Sequence, residues 1–268
     1  MSNKILEIKD VYKTFNKGTI NEKKAINGLN LTLYEGDFVT VIGGNGAGKS
    51  TMLNLIAGVF DIDMGEVLLD GKLISRMKEH KRAKYLGRVF QDPMVGTAAN
   101  MMIEENLALA YRRGKSRGLR WGISNDERKL YKEKLKILDL GLEDRMSSKV
   151  GLLSGGQRQA LTLLMSTLKI PRLLLLDEHT AALDPKTASK VLEITNSIIE
   201  QENLTALMIT HNMRDAIKYG NRLIMMNDGK VIFDISGEEK KNLKVSDLLT
   251  KFEEVSGQEL ANDRMLLS

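Results

Sequence analysis

Four clusters of residues have the types and spacing to handle a phosphate chain. The segment Gly43-Gly44-Asn45-Gly46-Ala47-Gly48-Lys49-Ser50, followed by Thr51, fits the pattern G-x-x-x-x-G-K-[ST]. Its glycines let the backbone turn several N–H groups inward as a nest for anionic oxygens, and the helix that follows adds its positive end. Lys49 would reach the β and γ phosphates, and the Ser50 hydroxyl would ligate Mg²⁺. Asp177 and Glu178 close the apolar run Leu173 to Leu176; Asp177 would hold Mg²⁺ through water and Glu178 would polarise the attacking water. His211, after the run Thr205 to Ile209, can donate to a γ-phosphate oxygen, and Gln91, closing Arg88-Val89-Phe90, can ligate Mg²⁺ or orient water. Each cluster also has a plain reading: a glycine-rich turn, a strand ended by solvated acids, a satisfied histidine.

The elements that must position these residues are short apolar runs alternating with helix-period segments, the pattern of an α/β sheet. Phe38 to Ile42, Gly87 to Phe90, Leu173 to Leu176 and Thr205 to Ile209 are short and apolar enough to be buried parallel strands. Ligands bind open α/β sheets at the carboxyl ends of such strands, where all four clusters fall. Alternation in Ile5 to Ile8 and Leu29 to Leu33, with Val67 to Leu69, predicts an antiparallel flap. Between about Gly96 and Lys169 the character turns helical. Ser124 to Glu127 has capping-box spacing and opens a helix predicted to run through Leu138 to a terminating Gly141. Asp184-Pro185 starts another as N-cap and N1. Val245, Leu248, Leu249, Phe252 and Val255 keep helical spacing, so the tail should pack on the body. The predicted organisation is 1–95 as flap and first part of the core, 96–170 as an inserted helical subdomain, 171–245 as the second part, and 246–268 as a helical tail.

Composition narrows the chemistry. With 268 residues and 42% hydrophobic content the chain can bury a large core. No run approaches the roughly 18 apolar residues of a membrane span, and the start lacks a secretory apolar region, which predicts a cytoplasmic protein. The absence of cysteine excludes disulfides and thiolate metal sites, and three scattered histidines offer no zinc site. A net charge of +5 decides nothing about partners.

Leu153-Ser154-Gly155-Gly156-Gln157 precedes a further apolar helix. Dipole and N–H arguments make this a second anion site, or simply a helix cap. Taken in order, Gly43 to Thr51, Gln91, Leu153 to Gln159, Leu173 to Glu178, Ala182-Leu183-Asp184 and His211 resemble the nucleotide-binding subunit of an ABC transporter, from about Ile5 to Val245. The resemblance implies a P-loop core with a parallel sheet, an antiparallel β flap and an inserted helical subdomain, of the ABC ATPase type. It further implies that Gly43, Asn45, Gly46, Ala47, Gly48, Lys49, Ser50 and Thr51 hold phosphate and Mg²⁺. Ser154, Gly155, Gly156 and Gln157 then contact the ATP bound by a second copy, two ATP being enclosed in a head-to-tail homodimer. Gln91 senses the γ-phosphate, Asp177 supports Mg²⁺, Glu178 is the general base, His211 is the switch histidine and Asp184 belongs to the loop that communicates across the dimer. Phe15 resembles the aromatic on which adenine stacks, with Tyr12 as competitor. Many relatives have proline where this chain has His179; histidine restores an N–H and relaxes φ at that turn, and no chemical role is assigned to it.

A single such domain needs multispan permease subunits to transport anything. The resemblance therefore places the chain on the inner face of the cell membrane, with a permease helix received near Asp92 to Ala110. The segments Arg88 to Gly114 and Asp177 to Ala188, His179 included, look most like an importer branch that works with an extracytoplasmic binding protein and a permease for amino-acid-like solutes, such as tryptophan or tyrosine. The alternatives are an exporter motor, an ABC ATPase acting in translation or DNA maintenance, and a non-hydrolysing nucleotide-binding module. The second lacks here the paired domains or long coiled coils of such relatives, and Glu178 with His211 disfavours the last. Arg112, Arg113, Lys115, Arg117 and Arg120, between Tyr111 and Trp121, could meet RNA or anionic lipid; a solvated loop is the expected reading, and no nucleic-acid partner is expected.

Overall fold

A computed structural model describes residues 3–115 and 122–256. In chain order these form β1 (Lys4–Phe15), β2 (Lys23–Tyr34), β3 (Phe38–Gly43), α1 (Lys49–Ala57), β4 (Met64–Leu69), β5 (Lys72–Leu73), α2 (Glu79–Arg82), β6 (Leu86–Val89), α3 (Ile103–Tyr111) and α4 (Asn125–Lys136). There follow α5 (Gly155–Thr167), β7 (Leu173–Asp177), α6 (Pro185–Gln201), β8 (Ala206–Ile209), α7 (Met213–Lys218), β9 (Arg222–Asn227), β10 (Lys230–Ser236), α8 (Gly237–Lys241) and α9 (Val245–Ser256). The chain divides into two compact units, Met1–Arg82 with Asn203–Ser268, and Ala83–Glu202. The helical stretch 96–170 lies inside the second unit, together with β6, β7 and α6.

In the first unit the expected flap is a sheet of order β2-β1-β4-β5, antiparallel throughout. The other strands run β10-β9-β3-β8, with β3 parallel to both β8 and β9. Every residue of β3 is buried, as the near-continuous apolar run of a parallel strand leads one to expect. Buried Thr40 is satisfied by donating to Ala216 O, 2.8 Å away and 176 positions later. Ile42, Met213, Ala216, Leu223, Met225, Leu248 and Phe252 form one apolar cluster, so α9 packs on the body as the helical spacing of the tail predicts. The Val255 side chain lies outside the described residues.

Arg82 is 1% exposed, and its guanidinium donates to Leu55 O (2.7 Å) and Ile56 O (3.0 Å) in the last turn of α1, to Ser75 O (3.1 Å) and to Met77 O (2.6 Å). A helix leaves its last four carbonyls without partners and its C-terminal end partly negative, and this buried cation answers both. Gly58, at φ 83, caps the same end; a methyl there would lie 2.7 Å from Arg82 Nε.

In the second unit β6 and β7 pair in parallel, and three of the helices begin as the sequence predicts. Ser124 and Glu127 form a reciprocal capping box at α4, Ser154 and Gln157 another at α5, and the Asp184 side chain accepts from Thr187 N at α6. One boundary is corrected. Helix α4 ends at Lys136, not near Gly141, because Asp139 takes the left-handed conformation at φ 52 and closes the turn through its N–H to Lys136 O; Gly141, at φ 66, precedes a separate 3₁₀ turn. The basic segment is partly structural: Arg112 pairs with Glu127 at 3.0 Å, and Arg113 donates to Ser166 O in the last turn of α5 and to Lys169 O just past it. Arg117, Arg120 and Trp121 lie outside the described residues.

Replacing Arg82 with Ala should cost about 3 kcal/mol or more in urea denaturation, since three buried carbonyls and a partly buried one lose a charged donor. Loss below about 1 kcal/mol would show that these bonds do not hold α1.

Candidate functional site

The phosphate loop leaves β3 and enters α1 directly, with Met52 N bonded to Gly48 O at 2.8 Å. Two glycines are required by their surroundings. A methyl on Gly43 (φ 151) would lie 2.3 Å from Met226 O, and one on Gly48 (φ 99) 2.6 Å from Ala25 O. Both positions press the loop against neighbouring backbone in conformations that L side chains avoid. Among the described residues no side chain caps the N-terminus of α1, and an uncapped helix start is what an anion site needs. Lys49 is 6% exposed, and its ammonium donates to Gly43 O (2.8 Å) and Gly44 O (3.1 Å), which holds the charge across the loop. Asn45, Gly46 and Ser50 are exposed, Ala47 is buried and Thr51 half-buried.

His211 belongs to the same edge. Val41 and Ile209 are directly paired in the parallel ladder, so Gly43 and His211, each two residues further on, come level at the carboxyl ends of their strands. Thr210 N donates to Val41 O at 3.1 Å, and Asn212 caps α7 through its side chain. A turn that sequence reasoning missed completes the edge. Gly43 pairs with Met226 at the end of β9, and Gly229 N, just beyond, donates to Ala47 O at 3.0 Å. The Asp228-Gly229 turn signal is readable in the sequence, but its pairing with residues some 180 positions earlier is not.

Phe15 stands edge-to-face on Phe60, ring centroids 5.1 Å apart, with Lys13 Nζ 5.5 Å from its ring. Its rival is otherwise engaged. A methyl on Gly28 would lie 3.0 Å from the Tyr12 hydroxyl, and a hydrogen bond to Asp10 raises the Tyr12 phenol above its usual pKa.

The second unit gathers the remaining candidates. Asp177 ends β7 with Arg88 Nη2 at 3.8 Å, and that guanidinium lies over the Phe90 ring, 4.5 Å from its centroid. Glu178 adopts the left-handed conformation at φ 47, and its carbonyl accepts from Ala181 N at 2.9 Å to close a tight turn. For a glutamate this costs about 1 kcal/mol, and such outliers concentrate at functional positions. Gln91 is exposed just past β6, and Gln159 Nε2 donates to Phe90 O at 2.8 Å. Helix α5 thereby fixes the residue preceding Gln91, a role for Gln159 that no local pattern signals.

At the start of α5, Ser154 Oγ accepts from Gln157 N at 3.3 Å while Gln157 Oε1 accepts from Ser154 N at 3.2 Å. The serine therefore caps its own helix, and its hydroxyl proton remains available to an anion. Gly156 is buried, and a methyl on it would lie 2.1 Å from Thr187 Cγ2; one on Gly155 would meet Leu183 Cδ2 at 3.3 Å. The Ser-Gly-Gly turn is thus packed against the start of α6.

His179 is 2% exposed, and its Nε2 lies 3.0 Å from Thr195 Oγ1. Thr195 gives its hydroxyl proton to Val191 O at 2.8 Å, which assigns the proton between the two side chains to Nε2. Burial alone lowers its pKa to about 4. The residue is a packed anchor behind the Glu178 turn.

Comparison with known proteins now decides the family. The ABC transporter family pattern matches residues 26–181, more than half of the chain. The chain belongs to the ABC transporter family. It is one of that family's ATP-hydrolysing, ATP-binding domains. Within it, the chain is 43% identical over 249 residues to the tyrosine transport ATP-binding protein of Clostridioides difficile, covering 93% of this chain and 99% of that one. It is 34% identical to the spermidine/putrescine import ATP-binding protein PotA of Haemophilus ducreyi, over 90% of this chain and 62% of the relative. Among solved structures, the ATP-binding cassette MJ0796, a dimer bound to ADP and phosphate in a post-hydrolysis state, superposes with a TM-score of 0.74 at 31% identity, over 87% of this chain and 98% of that one.

Two outcomes test the packing of this ABC domain. Gly156→Ala should lose about 1–3 kcal/mol of stability through overpacking, and Thr187→Ser in the same chain, which removes the clashing methyl, should restore part of it in a double-mutant cycle; strict additivity would refute the contact. Because His179 has an ordinary value of 6.5 and is lowered to about 4 in the fold, its contribution to stability is fully present above pH 6.5 and is lost as pH drops toward 4, where the unfolded state takes up the proton first. The loss is on the order of 3 kcal/mol in total, and His179→Gln should flatten that part of a pH series of urea midpoints.

Proposed function

We propose that this chain is the motor subunit of a membrane importer for an amino-acid-like solute, and that it works as a head-to-tail pair of copies around two Mg-ATP. The observation that carries the importer reading is the near full-length similarity to the tyrosine transport protein; PotA, an import protein by name, supports it at lower identity.

The proposed roles follow from chemistry and position. The nest from Gly43 to Gly48 with the uncapped start of α1 binds phosphate oxygens, Lys49 neutralises the β and γ phosphates, and Ser50 with Thr51 completes the phosphate and metal contacts. The donors proposed for the metal, the Ser50 hydroxyl, the Gln91 amide and the Asp177 carboxylate, are all hard oxygens. Among the described residues no cluster of three His, Cys, Asp or Glu side chains gathers, which suits an ion that keeps several waters and binds phosphate, as Mg²⁺ does. When bound, Mg²⁺ would neutralise charge on the transferring phosphoryl group. Glu178 accepts the proton of the attacking water, His211 donates to the γ-phosphate, and Phe15 stacks adenine. Ser154 to Gln157 reach the nucleotide of the other copy; the dimeric relative supports that arrangement.

A permease partner is supported by an apolar face in the second unit. Met94 (57%), Val95 (44%), Met102 (38%) and Leu152 (72%) are exposed, and Val150 N to Met101 O and Gly151 N to Ala99 O bonds hold their two segments side by side. Methionines suit an adaptable contact. Among the described residues no helix is long and apolar enough to cross a membrane, so the spanning parts would come from separate subunits, with this chain on the cytoplasmic face and an extracytoplasmic binding protein delivering solute.

Glu178→Gln should keep ATP binding, lower turnover by about 10²-fold or more, and accumulate an ATP-dependent dimer on size exclusion; near-normal turnover would refute the assigned base. Co-purification from membranes with a multispan protein, and tyrosine uptake that depends on both, test the transport role. Association with ribosomes or DNA instead would overturn it.

A further inference from the structure

Lys23, the first residue of β2, occupies a place that no recognised motif covers. In the flap it is the direct partner of Phe15 across the antiparallel ladder, so the two backbones lie about 5 Å apart. Its ammonium lies beside the phosphate loop. A methyl group placed on Gly46 would lie 3.4 Å from Lys23 Nζ. Among the described residues the Lys23 side chain makes no hydrogen bond or ion pair, and the adjacent carboxylate is engaged elsewhere, since Glu22 accepts from Gly18 N at 2.7 Å. Gly46, at φ 84, is exposed at the tip of the loop.

Lys23 thus spans the interval between the aromatic that would carry a base and the nest that would carry the terminal phosphates. In a nucleotide laid from Phe15 to the loop, the groups crossing that interval are the ribose and the first phosphate. A lysine ammonium is a donor only, with three protons and a full charge, and the anionic member of that pair is the phosphate. We infer that Lys23 binds the α-phosphate of the nucleoside di- or triphosphate held by the phosphate loop.

The inference rests on reading Gly43 to Ser50 as the nucleotide site, and it makes a separable claim. Lys49 discriminates through the β and γ phosphates, whereas a contact to the α-phosphate is the same in ATP and ADP. Lys23 therefore sets affinity for substrate and product together and leaves the chemical step alone, which is uniform binding in kinetic terms.

The test is calorimetric titration of the full chain with ADP and with ATP in the absence of turnover, together with steady-state ATPase kinetics. Lys23→Ala should weaken both nucleotides by a similar factor, about three- to tenfold for a partly solvated charge-assisted bond, raise KM and leave kcat within about twofold. Lys23→Arg should restore most of the affinity, and Lys23→Glu should weaken both nucleotides further than Ala does. Unchanged affinity in Lys23→Ala and Lys23→Glu, or a loss confined to ATP, overturns the assignment. If Lys49→Ala binds both nucleotides as tightly as the parent chain, the reading of the loop fails first, and this inference fails with it.

Discussion

The helix that carries the phosphate loop is held from behind by one buried guanidinium. Arg82 ties the last-turn carbonyls of α1 to the segment around Ser75 and Met77, and burial lowers its pKa without removing its charge. The positive end of the helix dipole is directed at the loop, and the negative end is answered by a fixed cation. An anion site at a helix N-terminus works only if the helix cannot retreat from the anion. Gly43 and Gly48 set the other limit, since each is pressed against backbone that would collide with any side chain.

The second unit shows the same economy with different means. Helix α5 bonds to Phe90 O through Gln159, contacts α6 through Gly156 and Thr187, and closes its own start with Ser154 and Gln157. A displacement of α5 would therefore be felt at Gln91 and at the turn that holds Asp184. Glu178 sits in that unit in a backbone conformation few glutamates adopt, with buried His179 anchoring the next position. A proline at 179 could offer neither the imidazole bond to Thr195 nor a backbone N–H.

Much of this was legible beforehand because it is local. Phosphate-loop spacing, apolar runs ending in Asp177 and His211, and the capping patterns at Ser124, Ser154 and Asp184 each depend on residues within a few positions of one another, which is the range over which sequence patterns speak. That His211 falls at the same strand edge as the loop was readable from the two apolar runs; the register that brings Val41 opposite Ile209 was not. Arg82 was not legible: in the run from Lys78 to Lys84 it reads as one more surface base, and only the tertiary fold brings the end of α1 to it. Arg88 beside Asp177, Gln159 on Phe90 O, Lys23 at Gly46 and the Gly229 turn on Ala47 are all pairings between distant segments. The misplaced end of α4 is the one local failure, since an aspartate took the left-handed position that glycine was expected to fill.

The burial of β3 has a consequence for how the protein is made. Its two neighbours in the sheet, β8 and β9, and the Phe252 ring that meets Gly44 are supplied by the last part of the described chain. Translation delivers the phosphate loop early and its supports late. During that interval an apolar strand waits on the ribosome without edges to pair with, the kind of exposed segment that nascent-chain chaperones cover. Nucleotide could not assist folding until most of the chain had emerged, so the site most readily read in the sequence would be among the last to exist in the molecule.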